Sequence, residues 1–200
     1  MRPLLLRAFT ATSCIGRGLA PTLASLREQR SGLTPCAFET VTLETCVGEV
    51  AGVDDAPLPA ALAEYECRNN RLAQLGLAQD GLRDALGACV ARVGRTRLGV
   101  FLGTSTAGVL ETELAYRARD AQSGALPPSF RYRGAHNAYS VAAFTREALG
   151  LEGPAVVISS ACSSSGKVFA SAQRAIEAGV VDAARRAQRT RPVCLRDGDA

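Results

Sequence analysis

Gly153-Pro154-Ala155-Val156-Val157-Ile158-Ser159-Ser160-Ala161-Cys162-Ser163-Ser164-Ser165-Gly166, continuing from Lys167 to Ala178 and closing at Gly179, is the stretch that decides the fold. The run Ala155 to Ile158 is apolar without alternation, rich in β-branched residues and preceded by Gly-Pro. That pattern predicts a short strand buried on both faces. From Lys167 the period changes. Val168, Ala172, Ala175, Ile176 and Gly179 fall three or four apart, the stripe of an amphipathic helix, and Gly179 supplies a left-handed stop. Cys162 stands at the junction. A thiol there faces the unpaired N–H groups and the positive end of the helix, which favour thiolate over thiol. The small residues around it, Ala161, three serines and Gly166, let a substrate come close to the backbone. A cysteine in an apolar chain is usually a small buried hydrophobe. A cysteine where a strand hands over to a helix stands where α/β folds keep their chemistry.

Two hundred residues suffice for one domain with a sizeable core. Hydrophobic residues make up 47% and charged residues 21%, which excludes a disordered or collagen-like chain. Lys167 is the only lysine, so the positive charge is almost all arginine. Five arginines against two aspartates after Ala184 carry most of the net +4, so no basic face spreads over the folded elements. A nucleic-acid partner is therefore not expected. Seven cysteines without a Cys-x-x-Cys pair, and a single histidine, leave no zinc pattern and no disulfide framework. Leu4-Leu5-Leu6 before Arg7 is too short for a signal-peptide core, and no apolar run reaches membrane length. These features predict a chain of the reducing cytoplasm, with no membrane partner.

Outward from the central stretch, Pro3 to Phe9 reads as a buried strand, and Pro21 opens a helix through Gln29. Val41-Thr42-Leu43 is strand-like, and a Pro/Asp/Gly-rich loop follows to Pro59. Asn69 to Ala88 reads as one long helix capped by Asn69 or Asn70. Cys89 reads as core, and so do Cys14, Cys36, Cys46 and Cys67, none of which starts a helix after a buried strand. Arg97 to Leu102 is the next strand, running into Gly103-Thr104-Ser105-Thr106-Ala107-Gly108 and a helix from Leu110 to Arg119. That loop has the glycine spacing of a phosphate cradle, but Val109 stands where a P-loop needs lysine, so a nucleotide is not expected. Glu111 and Glu113 point away from each other on a helix, and Glu113 pairs with Arg117 one turn on. Gln122 to Gly134 is a loop, and a further helix follows His136 to Leu149. His136 reads as a local hydrogen-bonding residue rather than a base for Cys162.

Gly153, Ile158, Ala161-Cys162-Ser163-Ser164-Ser165 and Phe169, at these spacings, followed by Gly179 and Asp182, resemble the nucleophile region of the β-ketoacyl-[acyl carrier protein] synthases. These are condensing enzymes of the thiolase superfamily. The resemblance covers residues 3 to 184, the N-terminal half of such an enzyme. It implies an α/β fold: the N-terminal half of a thiolase-like fold, a mixed five-stranded sheet with helices on both faces. It implies an acyltransferase whose Cys162 takes an acyl group as a thioester and joins it to malonyl-acyl carrier protein, in fatty acid, polyene or polyketide elongation. Thr106 would border the acyl pocket. No cofactor is implied beyond the phosphopantetheine that carries the substrates. The implied partners are an acyl carrier protein and a second subunit, identical or homologous, joined through the strand Ala155 to Ser159. The second oxyanion donor, two histidines and a lysine would come from the other half, and Lys167 does not replace that lysine. The loop Gly103 to Thr106 and the helix Glu111 to Tyr116 are also similar to synthases of aryl-polyene pigment clusters.

After Ala184 the resemblance breaks. Where the family continues with a buried strand, this chain reads Arg185-Arg186-Ala187-Gln188-Arg189-Thr190-Arg191-Pro192. Residues 1–184 are expected to be the synthase-like domain. Residues 185–200 are expected to be an aberrant Arg-rich tail, disordered or loosely helical, as a reading-frame change would give, with an internal deletion, suggested by Arg196-Asp197-Gly198, as the lesser alternative. The isolated chain is expected not to condense acyl groups. Two other readings stand beside this one: a non-catalytic remnant or partner subunit that keeps only the dimerisation surface, and an unrelated cysteine hydrolase that would need a histidine beside Cys162.

Overall fold

The computed structural model describes residues 4–37, 42–187 and 193–195. In chain order the elements are β1 Leu5–Ala8, β2 Thr12–Ser13, β3 Gly16–Arg17, α1 Leu19–Arg27, β4 Leu33–Pro35 and β5 Cys46–Gly48. A 3-10 turn, Ala60–Tyr65, leads to α2 Arg68–Leu77, α3 Leu82–Val93, β6 Leu98–Gly103, α4 Val109–Arg117 and α5 Ser140–Ala148. The chain closes with β7 Ala155–Ile158, α6 Ser164–Glu177, β8 Ala183–Ala187 and β9 Val193–Leu195.

The main sheet has five strands in the order β1-β9-β8-β6-β7. Strand β6 pairs in parallel with β7 and β8, whereas β9 runs antiparallel to both β8 and β1. The sheet is therefore mixed, as the resemblance implies. Helices cover both faces because β6 is buried throughout and alternates its side chains. Leu98, Val100 and Leu102 pack with Leu86 and Cys89 of α3 and Ala142 of α5. Phe101 packs on the other side with Val168, Ala172 and Ile176 of α6. Arg97 fastens the start of the β6–β8 ladder. Its guanidinium donates to both Asp182 carboxylate oxygens, at 2.9 and 2.8 Å, and its carbonyl accepts the Asp182 N–H.

Several sequence expectations are corrected. The long helix from Asn69 to Ala88 is two helices, because Asp80 and Gly81 both take the left-handed conformation between them, and Cys67 rather than an asparagine occupies the α2 cap position. Strand β7 is half-buried instead of buried, because it forms an edge of the sheet. Strand β1 is also at an edge, and Leu5 and Leu6 are exposed. Thr42 and Leu43 form no strand, and Val41 lies outside the described residues; the local ribbon is β4 paired with β5. Among the cysteines read as core, Cys67 and Cys89 are buried, Cys14 and Cys36 are half-buried, and Cys46 is exposed.

The Arg-rich segment is the largest departure. Arg185 and Arg186 lie in β8, in register with Val100 and Phe101, and β8 sits between β6 and β9. The backbone of 183–187 and 193–195 is thus part of the sheet, contrary to the expectation that arginines exclude a central strand. Ladder bonds join main chain to main chain, so an unfavourable composition did not prevent them. The remaining residues of the expected tail lie outside the described ones.

Candidate active site at the β7–α6 junction

The chain must reverse from β7 into α6 within five residues, 159–163. It does so through Ala161, whose φ of 49° is left-handed, a conformation that costs a non-glycine residue about 1–2 kcal/mol. Two serine hydroxyls hold the turn. The Ser164 hydroxyl accepts the Ser160 N–H at 2.8 Å and donates to the Ala161 carbonyl at 2.8 Å. The Ser163 hydroxyl donates to the Ser160 carbonyl, also at 2.8 Å. The Ser163 and Ser164 N–H groups close onto the Ser160 and Ala161 carbonyls. The helix therefore begins at Ser164, three residues earlier than the sequence pattern suggested.

Cys162 emerges from this turn with an exposed side chain, immediately ahead of the Ser163 cap position. Helix α6 runs 14 residues and ends at Gly179, which takes the left-handed stop at φ 69°. Its buried stripe of Val168, Ala172 and Ile176 anchors it on the sheet, so the cysteine sits on a rigid element.

The Gly103–Gly108 loop lies beside the turn. The Thr104 N–H donates to the Ile158 carbonyl at 3.1 Å, tying the end of β6 to the end of β7. Thr106 is exposed and lines an open cleft of about 300 Å³ with Arg68, Asn69, Leu72 and the first turns of α4. Cys162 is not among the residues lining that cleft. The structure thus puts both candidate residues just beyond the ends of neighbouring parallel strands, with Cys162 outside the cleft that Thr106 lines.

His136 takes no part in the turn. Its ring lies 4.5 Å from that of Phe130, tilted by 52°, and Nδ1 contacts the Arg131 main chain at 3.0 and 3.2 Å. Burial pushes the Cys67 and Cys89 thiols upward, away from the thiolate. No group of three His, Cys, Asp or Glu residues that could hold a metal occurs among the described residues. No helix among them is long and apolar enough to cross a membrane.

Sequence reasoning placed Cys162 at the strand–helix junction but missed the left-handed Ala161 and the hydroxyl clamp of Ser164. The serine run was read only as small residues. A serine two places after a junction cysteine can also hydrogen-bond the nearby backbone, and that signal was available.

The family described as beta-ketoacyl synthase, N-terminal domain, matches residues 69–184. Two solved structures share the fold. One is the ketosynthase ApeO from Xenorhabdus doucetiae, in complex with its chain length factor ApeC. It is 26% identical, with a TM-score of 0.74 over 91% of this chain and 45% of that one. The other is the ketosynthase from module 6 of the bacillaene synthase of Bacillus subtilis 168. It is 18% identical, with a TM-score of 0.60 over 88% of this chain and 30% of that one. The chain spans less than half the length of either. No curated protein matches it.

Proposed function

The chain belongs to the β-ketoacyl synthase N-terminal domain family, and on that premise we propose that Cys162 is its acyl acceptor. The observation that carries this reading is an exposed cysteine directly ahead of α6, on a turn whose backbone is fixed by the Ser163 and Ser164 hydroxyls. The thiolate would attack the carbonyl carbon of an acyl thioester held on a carrier protein. The tetrahedral oxyanion would then collapse, expelling the carrier thiol as thiolate and leaving the acyl group on Cys162. Joining that acyl group to a malonyl unit requires decarboxylation, with release of carbon dioxide. His136 is engaged with the Arg131 backbone, so in this reading the groups that handle that step lie outside this chain. This chain alone is then an acyl acceptor that makes no carbon–carbon bond.

Thr106, at the end of the adjacent strand, would contribute to the wall that meets the acyl chain. The open edge of β7 would pair with a second subunit, identical or homologous. The relative ApeO is solved with a chain length factor, which supports a paired assembly. The test is incubation of the chain with an acyl thioester and a malonyl thioester. The expected result is an acyl adduct that is lost in Cys162→Ala, without β-ketoacyl product. Condensed product from this chain alone would contradict the second part of the reading.

A further inference from the structure

The Ser164 hydroxyl is committed to two peptide groups of the turn, Ser159–Ser160 through its N–H and Ala161–Cys162 through its carbonyl. It is 1% exposed, accepts the Ser160 N–H and donates to the Ala161 carbonyl. That carbonyl also accepts the Ser164 N–H at 3.2 Å. A peptide group is planar, and in its trans form the carbonyl and the N–H point in opposite directions. Holding the Ala161 carbonyl toward the first turn of α6 therefore turns the Cys162 N–H away from that turn. Ala161 would relax readily from its left-handed conformation if the carbonyl were released, and the Cys162 N–H would turn with it.

We propose that Ser164 is a positioning residue for acyl transfer: its hydroxyl locks the Ala161–Cys162 peptide so that the Cys162 N–H meets the oxyanion of the incoming thioester. The proposal rests on the reading of Cys162 as acyl acceptor. As Sγ bonds to the carbonyl carbon, the carbonyl electron pair moves to oxygen and the Cys162 N–H donates to it. When the pair returns, the bond to the leaving thiol breaks, and that thiolate takes a proton from solvent. Alkylation of the same sulfur by iodoacetamide displaces iodide at a saturated carbon and passes through no oxyanion. The two reagents therefore separate oxyanion support from mere exposure of the thiol.

The experiment uses the full 200-residue chain, S-hexanoyl-N-acetylcysteamine and iodoacetamide, with Cys162 followed by peptide mass mapping and folding by circular dichroism. In Ser164→Ala the ratio of acylation to alkylation rate should fall by about tenfold or more, while alkylation stays within about twofold of the unaltered chain. Ser163→Ala, whose hydroxyl bonds only around Ser160, should keep the ratio. Ser164→Thr retains the hydroxyl and should keep it as well. An unchanged ratio in Ser164→Ala, an equal fall in both rates, or a threonine variant as slow as alanine would overturn the proposal. Failure of the unaltered chain to be acylated at Cys162 would instead overturn the functional reading on which it rests.

Discussion

Gly103, the last residue of β6, presses against the backbone of Ser164. A Cβ built on Gly103 would lie 2.9 Å from both the carbonyl carbon and the carbonyl oxygen of Ser164, and 3.3 Å from its Cβ. The parallel strand next to β7 is thus in contact with the first turn of α6, where Cys162 is presented. No side chain fits between them.

This contact predicts a sharp contrast between two glycines. Gly103→Ala should push the N-terminus of α6 off the sheet, cost about 1–3 kcal/mol by overpacking and slow Cys162 acylation. Gly166, inside the same helix, has open space around its Cβ position. Gly166→Ala should stabilise the chain by about 0.5–1 kcal/mol through helix propensity. Urea titration of both variants checks the signs. Equal destabilisation by the two would show that the contact is not specific.

Asp80 caps α1 from 61 residues away. Its carboxylate accepts the Leu19 N–H through both oxygens, at 3.2 and 3.0 Å, and the Thr10 hydroxyl at 2.6 Å. Its backbone is left-handed at φ 52°. Asp80→Ala should cost about 1–2 kcal/mol in thermal or urea unfolding. Asp80→Asn keeps an acceptor and tolerates the left-handed conformation, and should lose less than half of that.

Alkaline pH should unfold the chain through Tyr65. Burial, and then the Glu147 carboxylate that accepts its hydroxyl at 2.8 Å, push the Tyr65 phenol well above its usual range. A group whose folded pKa is raised contributes stability that is intact below its unfolded value, near pH 10, and is lost as pH climbs toward the folded value. Stability should therefore decline above about pH 10, a loss added to that of the buried Cys67 and Cys89 thiols, which begins nearer pH 8.5. Tyr65→Phe should be about 1–2 kcal/mol less stable at pH 7 and show a shallower decline above pH 10. Parallel slopes in the two proteins would exclude Tyr65 as the source.

Under the functional reading, the β7 edge would carry the assembly. The Val100 N–H bonds the Pro154 carbonyl, and the Thr104 N–H bonds the Ile158 carbonyl. In a parallel ladder alternate residues face the neighbouring strand, so Val157 presents its N–H and carbonyl to the open edge. Val157→Pro removes that outward donor without breaking a β6 bond. Light scattering should show a dimer for the unaltered chain and a shift toward monomer for the proline variant. A monomer in both cases would remove this edge as an interface.

The site was legible where side-chain chemistry and period coincide. Apolar Ala155–Ile158, Cys162, the helical stripe and Gly179 each leave a mark in the sequence, and together they located the strand–helix junction. What escaped was set by backbone geometry. Ala161 has no propensity for the left-handed conformation it adopts, and nothing in its identity announces it. Asp80-Gly81 broke a helix whose apolar period runs on across the break, because two left-handed residues override side-chain spacing. The placement of β8 was missed for the opposite reason. Arginines argue against a central strand by composition, whereas the ladder in 183–187 is built from main-chain groups that every non-proline residue carries. The burial of β7 was overestimated because an apolar run cannot reveal whether a neighbouring strand covers its second edge.

The most direct measurement compares two exposed cysteines of the same molecule, Cys162 and Cys46. The full chain is mixed with an acyl thioester, and the rate of adduct formation at each is read by peptide mass mapping. A cysteine directly ahead of a helix, with its own N–H to meet the oxyanion, should be acylated at Cys162 on the order of tenfold or more faster than at Cys46. Equal rates, or an adduct appearing first at Cys46, would contradict the assignment of Cys162 as the acyl acceptor.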